Sequence, residues 1–138
     1  MSNNILCLDY GERYVGVAMA NMEDRIALRY STIDQKQDDV LGIVRNVVEQ
    51  EEIVKILVSV PKSLSGEETA QTRVSLDFVA RLKDELGDEV EVEGVDEVFS
   101  SKEARRNLQA EGGKIAEEHV EAARLMLADY LAKHFSDG

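Results

Sequence analysis

Three places in this 138-residue chain combine residue types able to move protons or hold a hard cation: Asp9, the pair Asp96-Glu97, and His119. Asp9 closes an apolar run at residues 4–10 (NILCLDY) and is followed by Tyr10 and Gly11. An ionised carboxylate at the end of a buried strand must be solvated, paired or metal-bound, because leaving it bare in apolar surroundings is costly. The competing reading is a turn aspartate that bonds its own backbone. Asp96-Glu97 ends a second strand-like run. Ligands of open α/β sheets gather beyond the carboxyl ends of parallel strands, and two acids there suit a cation that prefers oxygen. A solvated loop in an acidic protein explains the same pair. His119 shares a helical face with Ile115, Ala122/Ala123, Met126 and Tyr130, which aims it at a sheet and turns Glu117 and Glu121 elsewhere. It is either a satisfied core histidine or a ligand, and the alanines beside it let the helix lie close.

Basic residues cluster twice. Ser100, Lys102, Arg105 and Arg106 crowd the start of a helix, with the three cations spaced to share one face. A free helix N-terminus with such a stripe suits phosphate, and a solvated charged face is the alternative. In the segment 61–73, Lys62, Ser63, Ser65, Gln71 and Arg73 surround Gly66. Polar loops of this kind close over substrates in many enzymes, and they also occur with no role.

The elements that must position these residues follow from hydropathy patterning. Residues 4–10 and 14–20 are apolar with GER between them, a hairpin with Gly11 at the turn, where positive φ is cheap. Residues 25–33 read as a third strand. Val40, Ile43, Val44, Val47 and Val48 have helical spacing within 37–50, and 53–60 is a buried strand ending at Pro61. A helix to about Leu86 places Val74, Phe78, Val79, Leu82 and Leu86 on one face. Residues 89–95 alternate as a fifth strand. Ser100 and Glu103 form a capping-box pattern, Gly112 and Gly113 end that helix, and a last helix runs from about Ala116 to His134. Gly16 leaves room where a backbone or ligand comes close. The order βββαβαβαα implies an antiparallel meander followed by parallel crossovers: an α/β fold with a mixed five-stranded sheet flanked by helices.

Composition sets outer bounds. The length fits one domain, residues 1–138. Acidic residues number 28 against 16 basic ones, a formal charge of −12. Such a chain repels polyanions at long range and is not a general nucleic-acid-coating protein. A small basic track beside a cation remains compatible with it. Cys7 is the only cysteine, in an apolar run. The start MSNN carries no basic region followed by a long apolar stretch, and no run is long enough to span a bilayer, so the expectation is a cytoplasmic protein without membrane contact.

The segments LDYG…GVA at 8–18, VP…SG…Q at 60–71, VDE…SS at 95–101 and AA…YL at 122–131 stand in an order and spacing that resembles the YqgF/RuvX family of Holliday junction resolvases and pre-16S rRNA nucleases. The resemblance covers nearly the whole chain. It implies a ribonuclease H-like fold with strand order 3-2-1-4-5 and catalysis with Mg²⁺ or Mn²⁺. Carried over by position, Asp9 is the first-strand aspartate and Glu97 the acid of the DE pair. The final-helix aspartate falls on His119, a departure. The basic residue expected before the Gly-Val segment falls on Tyr14, with Arg13 adjacent, and the arginine after the DE pair falls on Val98. Neutral imidazole suits Mn²⁺ better than Mg²⁺.

The implied catalytic and metal set is therefore Asp9, Glu97 and His119. Arg13, Lys62, Gln71, Arg73, Ser100, Ser101, Lys102, Arg105 and Arg106 would handle substrate. The implied function is a metal-dependent endonuclease, first for the 5′ end of pre-16S rRNA in ribosome biogenesis. The alternatives are a resolvase of DNA junctions in recombination and repair, or a nucleic-acid-binding module with weak or lost catalysis. The partner is structured RNA or branched DNA, bound by a monomer or homodimer. A strand, a DxG and a Gly-Val hairpin also cradle ATP phosphates in actin-like phosphotransferases, but those need two such domains and a longer chain.

Overall fold

The computed structural model describes residues 3–61, 67–97 and 115–135. The strands are β1 (Asn4–Tyr10), β2 (Tyr14–Asn21), β3 (Leu28–Asp34), β4 (Ile53–Pro61) and β5 (Glu91–Glu97). The helices are α1 (Val40–Gln50), α2 (Ala70–Leu86) and α3 (Ile115–Phe135). The strands form one sheet in the order β3-β2-β1-β4-β5. The β1–β2 and β2–β3 pairs are antiparallel, and β4 runs parallel to β1 and to β5. This is the mixed sheet expected from the sequence, with β1 at its centre.

Strand alternation divides the core in two. On one face, Leu6, Leu8, Val15, Val17 and Val58 pack with Val44 of α1 and Phe78 and Leu82 of α2. On the other, Ile5, Cys7, Ala18, Ala20 and Leu57 pack with Ala123, Met126, Leu127 and Tyr130 of α3. The second layer includes small side chains at Cys7, Ala18, Ala20 and Ala123, which let α3 lie close to the sheet. No helix among the described residues is long and apolar enough to cross a membrane.

Three local expectations change. Strand β3 starts at Leu28 and not at Arg25, because residues 22–24 form a turn and Arg25 adopts φ 57° while its amide bonds Asn21 O. A left-handed residue cannot extend a strand. Val74 is 46% exposed, not on the buried face of α2. The buried face of that helix runs through Thr72, Ser75, Phe78, Val79 and Leu82, and its start is capped: Thr69 Oγ1 accepts from Thr72 N, and Thr72 Oγ1 accepts from Thr69 N and also donates to Pro61 O. The helix expected over 100–112 lies outside the described residues.

Glu121 is the third correction, since it is buried, 2% exposed, and not turned to solvent. Its carboxylate accepts two bonds from Arg124, at 2.7 and 2.6 Å, and one at 2.9 Å from Arg29 on β3. The pattern of α3 alone gave no sign of a cation supplied by the neighbouring edge strand. The Arg124 bonds, opposed by burial and reinforced by Arg29, hold the Glu121 carboxyl at about 2, against an ordinary 4.5. Both arginines are partly open to solvent, which screens the gain to about 2 kcal/mol. A depressed carboxyl stabilises the fold fully above its unfolded value and loses that contribution as pH falls. Urea melts should therefore show stability declining from about pH 4.5 toward pH 2, and Glu121→Gln should flatten that decline.

Candidate active site

Asp9 lies one residue before the end of β1, 5% exposed. Its Oδ2 is 2.8 Å from His119 Nδ1, and its Oδ1 accepts from Ser59 Oγ at 2.9 Å. Ser59 sits on β4, in register beside Asp9 through the Cys7–Leu57 and Leu8–Val58 pairs. It is fully buried, and its Oγ also accepts from the Tyr10 amide at 3.2 Å. Thus a strand-end carboxylate is paired to a helix and to a neighbouring strand at once, which offsets the cost of its burial.

Two glycines make the pairing possible. Gly16 stands opposite Asp9 in the β1–β2 ladder. A Cβ there would meet the backbone carbonyl of His119 at 2.0 Å, so the helix rests directly on the strand at this point. That agrees with the close approach expected at Gly16. Gly11 does not have the positive φ expected of it; Gly87 alone among the described glycines does. Its role is clearance: a Cβ would stand 2.6 Å from His119 Cε1 and 2.9 Å from Nε2.

Asp9, Tyr10, Gly11, Ser59, Pro61, Gln71 and His119 line a cleft of about 180 Å³. Gln71 stands on the first turn of α2 and not in the polar loop expected over 61–73; it donates to Tyr10 O at 3.3 Å and lines the cleft. Arg73 lines a separate cavity next to it. Arg13 is turned to Asp34, at 3.1 Å, and lies over the Tyr14 ring. Asp96 is exposed. The backbone of Glu97 ends β5 opposite Pro61, two residues beyond the Val95–Ser59 pair. Lys62, Ser100, Ser101, Lys102, Arg105 and Arg106 lie outside the described residues. Ser59 and Tyr10 were missed by sequence reasoning. Ser59 did leave a signal, as a lone hydroxyl inside the apolar run at 53–60 (IVKILVSV).

Among the described residues, no group of three acidic, histidine or cysteine side chains is assembled to hold a metal. Asp9 and His119 fit as the first two donors. A carboxylate has about four acceptor sites, and Ser59 and His119 engage two of them. The set of carboxylate oxygen and imidazole nitrogen suits a divalent ion of the Mn²⁺ type.

A mixed sheet of this order, flanked by helices, is the ribonuclease H-like fold. The chain belongs to the RuvX family: the family model, described as a Holliday junction resolvase, matches residues 3–133. A relative from Flavobacterium psychrophilum, named "Putative pre-16S rRNA nuclease", is 30% identical over 94% of this chain and 96% of its own length. Relatives bearing the same name in Bacteroides fragilis, at 30%, and a Sulfurihydrogenibium strain, at 31%, each cover 94% of the chain and 96% and 90% of their own lengths. Among solved structures, T. thermophilus RuvC in complex with Holliday junction substrate superposes with a TM-score of 0.53 at 13% identity, covering 96% of both chains. At that identity it is the fold that is shared.

Two substitutions test how the site is built. Ser59→Ala leaves the Tyr10 amide without its partner and should lower the unfolding free energy by about 2 kcal/mol, seen as a lower urea midpoint at unchanged slope. Gly16→Ala forces α3 off β2 and should cost about 3 kcal/mol or more in the same measurement.

Proposed function

We propose that this chain cleaves structured nucleic acid by hydrolysing phosphodiesters at the Asp9 cleft, with the 5′ end of pre-16S rRNA as its substrate and Asp9, Glu97 and His119 as its working residues. The observation that carries the reading is the Asp9–His119 contact at the carboxyl end of the central strand. The names of the relatives support the substrate, and a cytoplasmic setting goes with it.

A divalent ion, Mg²⁺ or Mn²⁺, would supply charge neutralisation and a more acidic water, held by Asp9 and His119 with Glu97 from the end of β5. The protein's own contribution can be followed atom by atom. Ser59 fixes Asp9 Oδ1 by donating to it, so the carboxylate cannot rotate. In the tautomer that donates from Nδ1 to Asp9, His119 acts through Nε2 alone, which serves either as a ligand to that ion or as the acceptor of a proton from water, and not as both at once. Gly11 leaves that side of the ring uncovered by any side chain of its own. Gln71 braces Tyr10 and so the β1 end. Arg13, Lys62, Arg73, Ser100, Ser101, Lys102, Arg105 and Arg106 are the candidates for contacting backbone phosphates, which position a strand without reading its sequence.

One observation favours a second reading. Asp9 is already engaged at both oxygens, by Ser59 and by His119, which suits a binding module with little catalysis.

Cleavage of a pre-16S 5′ leader fragment and of a four-way DNA junction, each with Mg²⁺ and with Mn²⁺, separates these readings. The wild type should cut the RNA and prefer Mn²⁺. Asp9→Asn should cut at least a hundredfold more slowly, and His119→Asp should move the preference toward Mg²⁺. Preferential junction cutting would replace the rRNA assignment with resolvase activity. Equal inertness of wild type and Asp9→Asn with both metals leaves the binding module standing.

A further inference from the structure

Beside the Asp9 cleft lies a second, larger cavity of about 440 Å³, lined by Tyr10, Arg73, Val74, Asp77, Phe78 and Arg81. Tyr10 lines both cavities, so the two adjoin at that residue. We propose that this cavity holds a single-stranded segment of the nucleic acid as it passes the Asp9 cleft, with Arg73 and Arg81 on its phosphates and the Tyr10–Val74 wall against an unstacked base. The proposal takes from the nuclease reading only that a strand reaches Asp9.

The arginines are the first reason. Arg13 is bound to Asp34, Arg29 and Arg124 to Glu121, Arg45 to Glu85, and Arg25 to Met22 O. Among the described arginines, only Arg73 and Arg81 are left without a partner, although the chain is strongly acidic. Both are exposed, eight residues apart on α2. That spacing is two turns, about 12 Å along the axis. It is too wide for the oxygens of one phosphate and suits separate phosphates of a chain.

The apolar wall is the second reason. Val74 is 46% exposed although it is β-branched and apolar, and it borders an aromatic side chain. Tyr10 is rigid: its ring stacks on Phe78 with centroids 4.0 Å apart, its hydroxyl donates to Gln35 at 3.2 Å, and its backbone is held by Ser59 and Gln71. A wall already ordered loses little entropy on binding. Bases of a duplex are hidden in its stack, whereas those of a single strand offer a face to such a wall. Asp77 lies among the lining residues as an opposing charge, and so predicts an effect of opposite sign.

Fluorescence anisotropy with a labelled single-stranded oligonucleotide, in chelator so that nothing is cleaved, tests this. The double substitution Arg73→Gln, Arg81→Gln should weaken binding at least tenfold. It should also reduce the slope of log K against log salt by about 1.4, the value for two single-strand phosphate contacts. Asp77→Asn should tighten binding at least twofold, while Asp24→Asn, the same charge change at the far end of β2, should not. Blunt duplex of equal length should be bound more weakly and respond less. Wild-type affinity and slope in the double variant overturn the proposal. So does sedimentation showing that the double variant dissociates a dimer while oligonucleotide affinity is unchanged. Because no cleavage is read, an inert enzyme that binds in this way sinks the nuclease reading alone, and an active enzyme indifferent to these substitutions sinks the cavity alone.

Discussion

A helix can rest on a strand at backbone contact only where the strand carries no side chain. That condition is met once on the α3 face of this sheet, at Gly16, and the rest of the site depends on it. With the carbonyl of His119 seated over Gly16, the imidazole falls within hydrogen-bond distance of Asp9, the residue opposite Gly16 in the ladder. Alanines at 18, 20 and 123 keep the same layer thin, and the Glu121 ion pairs tie the helix sideways to β3. A thin, close-packed interface of this kind does not slide, because displacement of even one methylene's width is felt throughout a protein interior.

The polar groups at the end of β1 form a chain in which each member satisfies the next. The Tyr10 amide donates to Ser59, Ser59 to Asp9, and Asp9 meets His119. Buried networks are stable when complete and costly when one member is lost. Here the network also orients the carboxylate, so stability and chemistry rest on the same few atoms. Tyr10 extends the arrangement outward, because its backbone ends this chain while its ring forms the wall of the neighbouring cavity.

Much of this was legible in the sequence. The alternating runs give the strands, their order gives the mixed sheet, and Asp9 and His119 stand out by residue type and position. What stayed hidden has physical causes. Val74 is exposed because the buried face of α2 continues from Phe78 through Ser75 to Thr72, and not through Val74. Glu121 is buried with Arg124 of its own helix and with Arg29 from an edge strand nearly a hundred residues away, and a helical wheel cannot show the second. Gly11 was assigned to a turn conformation when its role is to leave space for a ring that arrives from the other end of the chain. Pairing across long sequence separation is what local patterns omit. The basic cluster at 100–106 and the side chain of Glu97 lie outside the described residues; the first is read from its spacing in the sequence and the second from the resemblance.

The seat at Gly16 has a consequence for how such a site can diversify. It recognises the main chain of residue 119 and is indifferent to the side chain there. Position 119 therefore works as a socket: the scaffold fixes where a functional group is presented, and the group itself is interchangeable. Exchanging a carboxylate for an imidazole at that socket alters ligand softness and proton affinity while the sheet, the helix and Asp9 keep their places. A fold built this way can change its chemistry one side chain at a time.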